Sequence, residues 1–206
     1  LMFQRAAPTP SDVHLGNLFG LAMPLVKHGI PVELVQMENL AQPGVLDNIK
    51  ILLLTYEGQK PLKPEYHDIL KKWIHSGGAL LYVDDGKDPY NHVREWWNDQ
   101  GANKTTPRDD LFARLNLDVA AAHTPVQLGA GWIHALENAP SFLAKEADGA
   151  DTLIRIAGAL LEKKGETLKT QNYLKLRRGP YVMASVMDES VSEEPLHLAG
   201  RFVDML

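Results

Sequence analysis

The segment PEYHDILKKWIHSGGALLYVDD, residues 64–85, predicts the fold of this chain. Its first half, Pro64–His75, carries apolar residues at the spacing of one helix face: Tyr66, Ile69, Leu70, Trp73 and Ile74. Two glycines end this helix, and Ala79–Val83 follows as an unbroken apolar run, which is typical of a strand buried on both faces. A helix, a Gly-Gly turn and a buried strand in this order indicate an α/β architecture with parallel strands.

The rest of the first 165 residues continues this alternation of strands and helices. Strands are predicted at Leu1–Gln4, Pro31–Gln36, Ile49–Thr55 and, interrupted by two glycines, Val126–Leu136. Helices are predicted to begin at the capping sequences Thr9-Pro10-Ser11-Asp12 and Thr106-Pro107-Arg108-Asp109, and to cover Asp151–Lys164. The predicted fold class is therefore α/β, a three-layer α/β/α sandwich with a mainly parallel central sheet.

The pattern changes after Gly165. Tyr173–Leu176 and Tyr181–Met187 read as two strands joined by a turn, and Leu198–Val203 as a further strand. We therefore expect an α/β domain over residues 1–165 and a β appendage over residues 166–206. Because both ends of the sequence look cut, we expect a piece of a longer polypeptide, with the appendage as the start of a following β domain.

Composition excludes several classes of function. The 206 residues carry a net charge of −5, which argues against a nucleic-acid partner, since such proteins usually show a basic excess. There is no cysteine, so disulfides, thiolate metal sites and cysteine nucleophiles are excluded. No run approaches the ~18 apolar residues of a membrane span, and no membrane partner is expected. The absence of cysteine suits both a bacterial cytoplasm and an exported protein.

Polar residues follow three of the predicted strands. Parallel strands end at one edge of a sheet, which is where ligands of such folds bind. The candidate ligand-binding residues at that edge are Arg5, Tyr56, Glu57, Asp84, Asp85, Asp88 and Tyr90.

The stretch Asp84–Tyr90 allows more than one interpretation. Its three aspartates could hold a hard cation, but the spacing lacks the bidentate glutamate of a calcium loop, and no metal is predicted. The favoured interpretation is an Asp-Gly turn followed by Asp88 as the N-cap of a helix over Pro89–Trp97. An aspartyl nucleophile remains a minor alternative.

Aromatic residues follow the same stretch. Tyr90, Trp96 and Trp97 could form a platform on which a sugar ring stacks. Adjacent positions on a helix point in different directions, so at most one tryptophan can face a given ligand. Core packing is the favoured interpretation for these tryptophans.

Motifs of the common catalytic and cofactor sites are missing from the sequence. It contains no Gly-x-Ser-x-Gly elbow, no Gly-x-Gly-x-x-Gly fingerprint and no Walker loop, so no cofactor is predicted. His134 and Glu137 form a His–Glu pair near a predicted strand end, without a nucleophile to activate. We therefore predict no catalytic residue.

Four passages together resemble a known family. Lys50–Glu57, the helix that ends at Gly77-Gly78, Ala79–Asp85 and Gly129–Ala135 are similar to a class I glutamine amidotransferase-like domain. The version most resembled is the noncatalytic one attached to glycoside hydrolases, including the trimerisation domain of some β-galactosidases. The resemblance covers residues 1–164 and implies a flavodoxin-like fold, often followed by a β domain.

The resemblance also implies which activity is lost. The amidotransferase reaction needs a cysteine on the elbow after the strand Ala79–Val83, and Asp84-Asp85-Gly86 stands there instead. The family's His-x-Glu pair is approximated by His134 and Glu137 with one residue too many between them. Loss of glutaminase activity is therefore expected.

Two functions remain open. The first is a noncatalytic accessory domain of a glycoside-hydrolase-like protein, which contributes to assembly, as a homo-oligomer or against a catalytic domain, or shapes a carbohydrate-binding pocket. It predicts an exposed apolar patch. The alternative is a small carbohydrate-directed hydrolase or lyase that uses Asp84, Asp85 or Glu57 as acid and base. It predicts a carboxyl group whose pKa is raised by burial beside a second carboxylate.

Overall fold

The structure is a computed structural model that describes residues 13–99, 101–188 and 190–203. It contains two compact units, one formed by residues 13–24 and 33–168 and the other by residues 25–32 and 169–203. Arg5, the predicted strand Leu1–Gln4 and the predicted helix start Thr9–Asp12 lie outside the described residues.

The first unit is built on a four-stranded, mostly parallel sheet. Its strands are β1 (Ile51–Leu54), β2 (Ala79–Val83), β3 (Val126–Leu128) and β4 (Gly131–Leu136), arranged in the order β1-β2-β4-β3. β1, β2 and β4 are parallel, and β3 runs antiparallel to β4. The prediction of an α/β fold with a mainly parallel sheet is confirmed at this level.

Five α-helices accompany the strands in the described residues. They are α1 (Val13–Lys27), α2 (Glu65–His75), α3 (Pro107–Leu115), α4 (Pro140–Leu143) and α5 (Gly149–Glu162). α3 begins as predicted, because the Thr106 hydroxyl accepts the Asp109 N–H and the Asp109 carboxylate accepts the Thr106 N–H. No helix in the described parts of the chain is both long and apolar enough to cross a membrane.

Both faces of β2 are covered, which explains why its sequence does not alternate. Leu80 and Tyr82 belong to a buried cluster with residues of α2 and α3. Leu81 and Val83 belong to a second cluster with residues of α4 and α5. Successive side chains of a strand point to opposite faces, so every residue of Ala79–Val83 is buried.

Two predicted strands are wrong, and a third divides in two. Residues 31–36 form a loop before a short 3₁₀ helix, Met37–Asn39. Their apolar residues suit a strand, but a strand also needs a neighbouring strand to pair with, and the sequence pattern does not provide one. Residues 198–203 are likewise outside any strand. The predicted strand Val126–Leu136 is a hairpin, since Gly129 has φ +64° and turns the chain between β3 and β4.

The second unit contains an antiparallel hairpin. Its strands are β5 (Tyr173–Arg178) and β6 (Tyr181–Val186), joined by Gly179 and Pro180. Gly179 has φ +57°, a conformation that glycine adopts without steric cost. The predicted pair of strands in this region is confirmed.

Candidate functional site

The ends of β1 and β2 bring three carboxylates together. The two strands are parallel, with Leu54 opposite Tyr82, so the residues that follow each strand meet at one edge of the sheet. One carboxylate oxygen each from Glu57, Asp84 and Asp85 lies within 4.8 Å of the others. Three of the sequence-predicted site residues therefore converge.

The Asp84 side chain is buried in the interior. It is 2% exposed. Its Oδ2 accepts the Tyr82 hydroxyl at 2.8 Å and the Tyr56 N–H at 3.3 Å, and its Oδ1 accepts the Gly86 N–H at 2.5 Å. A carboxylate that accepts three hydrogen bonds inside the protein stabilises the turn and is a poor candidate for a nucleophile.

The pKa of Glu57 is raised above its ordinary value. Burial, the negative charge of Asp84, and hydrogen bonding to Asp85 raise the pKa of Glu57 to about 8. Its Oε1 is buried and has no hydrogen-bond partner among the residues that the structure describes. Glu57 and Asp85 thus form a hydrogen-bonded pair of carboxyl groups at this edge of the sheet, and Glu57 Oε1 remains as an acceptor.

The raised pKa of Glu57 predicts how stability changes with pH. The fold favours the protonated form, so this stabilisation is complete below the ordinary glutamate pKa and is lost as pH rises through about 8. We expect the melting temperature of the wild type to fall between about pH 6.5 and pH 9, a window above the ordinary histidine pKa. Glu57→Gln should flatten this decline in thermal unfolding measured across the window. Equal slopes for both proteins would contradict the raised pKa.

Asp88 joins the two strand-end loops. Its Oδ2 accepts the Gly58 N–H at 2.5 Å and the Lys60 ammonium at 2.9 Å, and its Oδ1 accepts the Tyr90 N–H at 2.8 Å. Burial acts to raise the pKa of Asp88, but the Gly58 and Lys60 hydrogen bonds outweigh it and hold the pKa below its ordinary value. Asp88 is the predicted N-cap, although of a shorter 3₁₀ helix, Pro89–His92, than the sequence suggested.

The aromatic residues beyond Asp88 have different environments. Trp97 is 1% exposed and donates its Nε1–H to the Asn91 carbonyl at 2.9 Å. Trp96 is half-buried, donates to the Pro61 carbonyl and meets Trp97 edge-on. The preferred interpretation of core packing is confirmed for Trp97. Tyr90 is 58% exposed and is accessible to a ligand at this edge.

A buried polar chain, not found from the sequence, supports β1. Tyr56 is fully buried, and its hydroxyl lies 2.7 Å from His67 Nε2; His67 Nδ1 lies 2.8 Å from Asp110 Oδ2. Arg114 Nε donates to the same Asp110 oxygen. Tyr56 therefore faces the interior and positions its neighbour Glu57 rather than touching a ligand. The sequence contains one signal for this chain: His67 has the helical spacing of Leu70 and Ile74, which indicates that it lies on the buried face of α2.

Glu137 lies near Arg108 and His123, and no hydrogen bond joins it to His134 among the described residues. Glu137 Oε1 lies 3.7 Å from Arg108 Nη1, and its Oε2 lies 3.5 Å from His123 Nε2. His134 has a buried Nδ1 without a hydrogen-bond partner among the described residues. Burial, with the charges of His123 and Arg155, lowers the pKa of His134.

The chemistry of this edge is that of paired carboxyl groups. Glu57 and Asp85 can exchange a proton or hydrogen-bond a hydroxyl group, with Tyr90 exposed nearby in sequence. Comparison of this chain with models of known families, with curated proteins and with solved structures gave no match.

Proposed function

We propose that this chain is a noncatalytic accessory domain of a glycoside-hydrolase-like protein that binds a saccharide at the carboxyl edge of its sheet. The observation that carries the proposal is the Glu57–Asp85 pair, in which the pKa of Glu57 is raised to about 8 and Glu57 Oε1 lacks a partner among the described residues. Sugar hydroxyl groups both donate and accept hydrogen bonds, so such a pair is chemically suited to them.

The proposal includes the loss of glutaminase chemistry. At the elbow after β2, where the resemblance places a cysteine, Asp84 is buried and bound to Tyr82, Tyr56 and Gly86. A carboxylate held in this way cannot serve as the thiolate that the reaction needs. Release of ammonia from glutamine by the purified protein would contradict this part.

The proposal also includes a flavodoxin-like, three-layer arrangement and a role in assembly. The layers are supported by the two clusters that bury opposite faces of β2, one with α2 and α3 and one with α4 and α5. Assembly as an oligomer, or against a catalytic domain, is supported by large apolar side chains that stay exposed. On the first unit these include Leu34 at 72% and Leu62 at 64%.

Saccharide binding is expected to depend on Asp85. Titration of the protein with galactose, glucose and their β-linked oligosaccharides, followed by calorimetry, should show saturable binding of at least one of them. Asp85→Ala and Glu57→Ala should each weaken that binding at least tenfold, because a hydrogen bond to a charged or buried group is lost. Glu65→Ala is the matched control, since that carboxylate is exposed on α2 and should leave affinity unchanged. Equal affinities for all variants would contradict the proposal.

A second candidate function is a carbohydrate-directed hydrolase or lyase at the same pair. The specific observation that favours it is the Glu57 pKa of about 8, raised by burial and by the nearby Asp84 and Asp85, as expected of a general acid. New reducing ends or unsaturated products in the saccharide mixtures would select this candidate. Asp85→Asn should then abolish product formation with little change in melting temperature.

A further inference from the structure

Near the carboxyl end of β4, the guanidinium of Arg108 has few hydrogen-bond partners among the described residues. The Arg108 side chain is 18% exposed, and its Nε and Nη1 are buried without a hydrogen-bond partner among the residues that the structure describes. A buried donor without a partner is destabilising, and more so when it is charged, so native proteins rarely leave one without an acceptor. We therefore expect the guanidinium to bind a hydrogen-bond acceptor.

The surroundings of Arg108 fix the guanidinium in place. A β-carbon at position 86 would lie 2.8 Å from Arg108 Nη2, so the glycine of the Asp84–Gly86 turn makes room for the guanidinium. Arg108 is the second residue of α3, directly after a well-capped start at Thr106. The side chain is thus held between a turn and a helix end, which lowers the entropy lost on binding.

The nearest carboxylate does not satisfy this cation. Glu137 Oε1 is 3.7 Å from Arg108 Nη1, beyond hydrogen-bond distance, and the Glu137 side chain is 50% exposed. Its other oxygen lies 3.5 Å from His123 Nε2. Glu137 therefore lies near Arg108 and His123 and hydrogen-bonds to neither.

We propose that Arg108 binds an oxyanion, the carboxylate or phosphate group of a small molecule, at the carboxyl end of β4, in competition with Glu137. A guanidinium pairs with such groups through charge-assisted hydrogen bonds, and the donor nearest Glu137 is Nη1–H, which has no hydrogen-bond partner among the described residues. His123, 42% exposed, adds a second donor on the far side of Glu137. The inference does not use the Glu57–Asp85 pair, and each can fail without the other.

Titration at constant ionic strength tests the proposal, with inorganic phosphate and galacturonate as probes and galactose as the uncharged comparison. The readout is the Nε–H signal of Arg108 in arginine-selective ¹⁵N NMR. Phosphate, galacturonate or both should shift this signal saturably, and galactose should not. Saturation by one probe alone identifies which oxyanion the position takes.

Two variants give opposite expected effects. Glu137→Gln removes the competing charge from an exposed side chain and should tighten oxyanion binding about fivefold, as one charge at about 4 Å near water implies. Arg108→Gln should weaken it at least tenfold, measured by calorimetry. If that variant fails to fold, Arg108→Lys should weaken it severalfold, because an ammonium group does not place its donors where the planar guanidinium does. Arg94→Gln is the control, since Arg94 is 85% exposed and paired with Asp99. A non-saturable shift, or an affinity that Glu137→Gln leaves unchanged, would overturn the proposal.

Discussion

Asp84→Ala is expected to lower the free energy of unfolding by about 4 kcal/mol, one of the two largest effects predicted for this chain. The substitution leaves three donors without an acceptor: the Tyr82 hydroxyl and the N–H groups of Tyr56 and Gly86. Tyr56 and Tyr82 are almost fully buried, so water cannot replace the lost carboxylate without rearrangement. Chemical denaturation followed by circular dichroism measures the change.

The neighbouring carboxylate provides the control for this experiment. Asp85 caps its own turn by accepting the Lys87 N–H at 2.9 Å, and its side chain is 24% exposed. Asp85→Ala should therefore cost about 1 kcal/mol or less. Both substitutions should lower the pKa of Glu57, because both negative charges raise it. Equal destabilisation by the two variants would show that Asp84 does not hold the turn.

Asp110→Ala is expected to cost about 3 kcal/mol, because it leaves the buried His67 imidazole and Arg114 Nε without their hydrogen-bond acceptor. Asp110 Oδ2 accepts from Arg114 Nε at 2.6 Å and lies 2.8 Å from His67 Nδ1. Burial lowers the pKa of His67, which is fully buried, so a neutral imidazole would lose the acceptor that fixes its tautomer. The Tyr56 hydroxyl would then lose its alignment with Nε2.

Asp68 is a matched control, since it contacts the same arginine. Asp68 oxygens accept from Arg114 Nη1 at 2.8 and 2.9 Å, but its side chain is 59% exposed. Asp68→Ala should cost less than about 1 kcal/mol, as exposed ion pairs usually do. Urea unfolding of both variants separates the two cases. A cost for Asp68→Ala as large as that for Asp110→Ala would contradict the assigned roles.

Much of the fold and part of the site followed from local signals. The helix α2, the strand β2 and the capped start of α3 were predicted because each depends on residues a few positions apart. The same holds for Asp88 as an N-cap. Residues 31–36 misled the prediction, because a strand also needs a neighbour to pair with and that requirement is not local.

The sequence by itself determined the alternation of helices and strands and the placement of carboxylates after β1 and β2, because periodicity and capping act over a few residues. Tertiary structure alone decided which polar groups meet. Asp110 joins His67 across 43 residues, and Asp84 joins the Tyr56 N–H across 28. The raised pKa of Glu57 and the unpartnered donors of Arg108 depend on burial and on charges from distant segments. Residue spacing along the chain does not encode those distances.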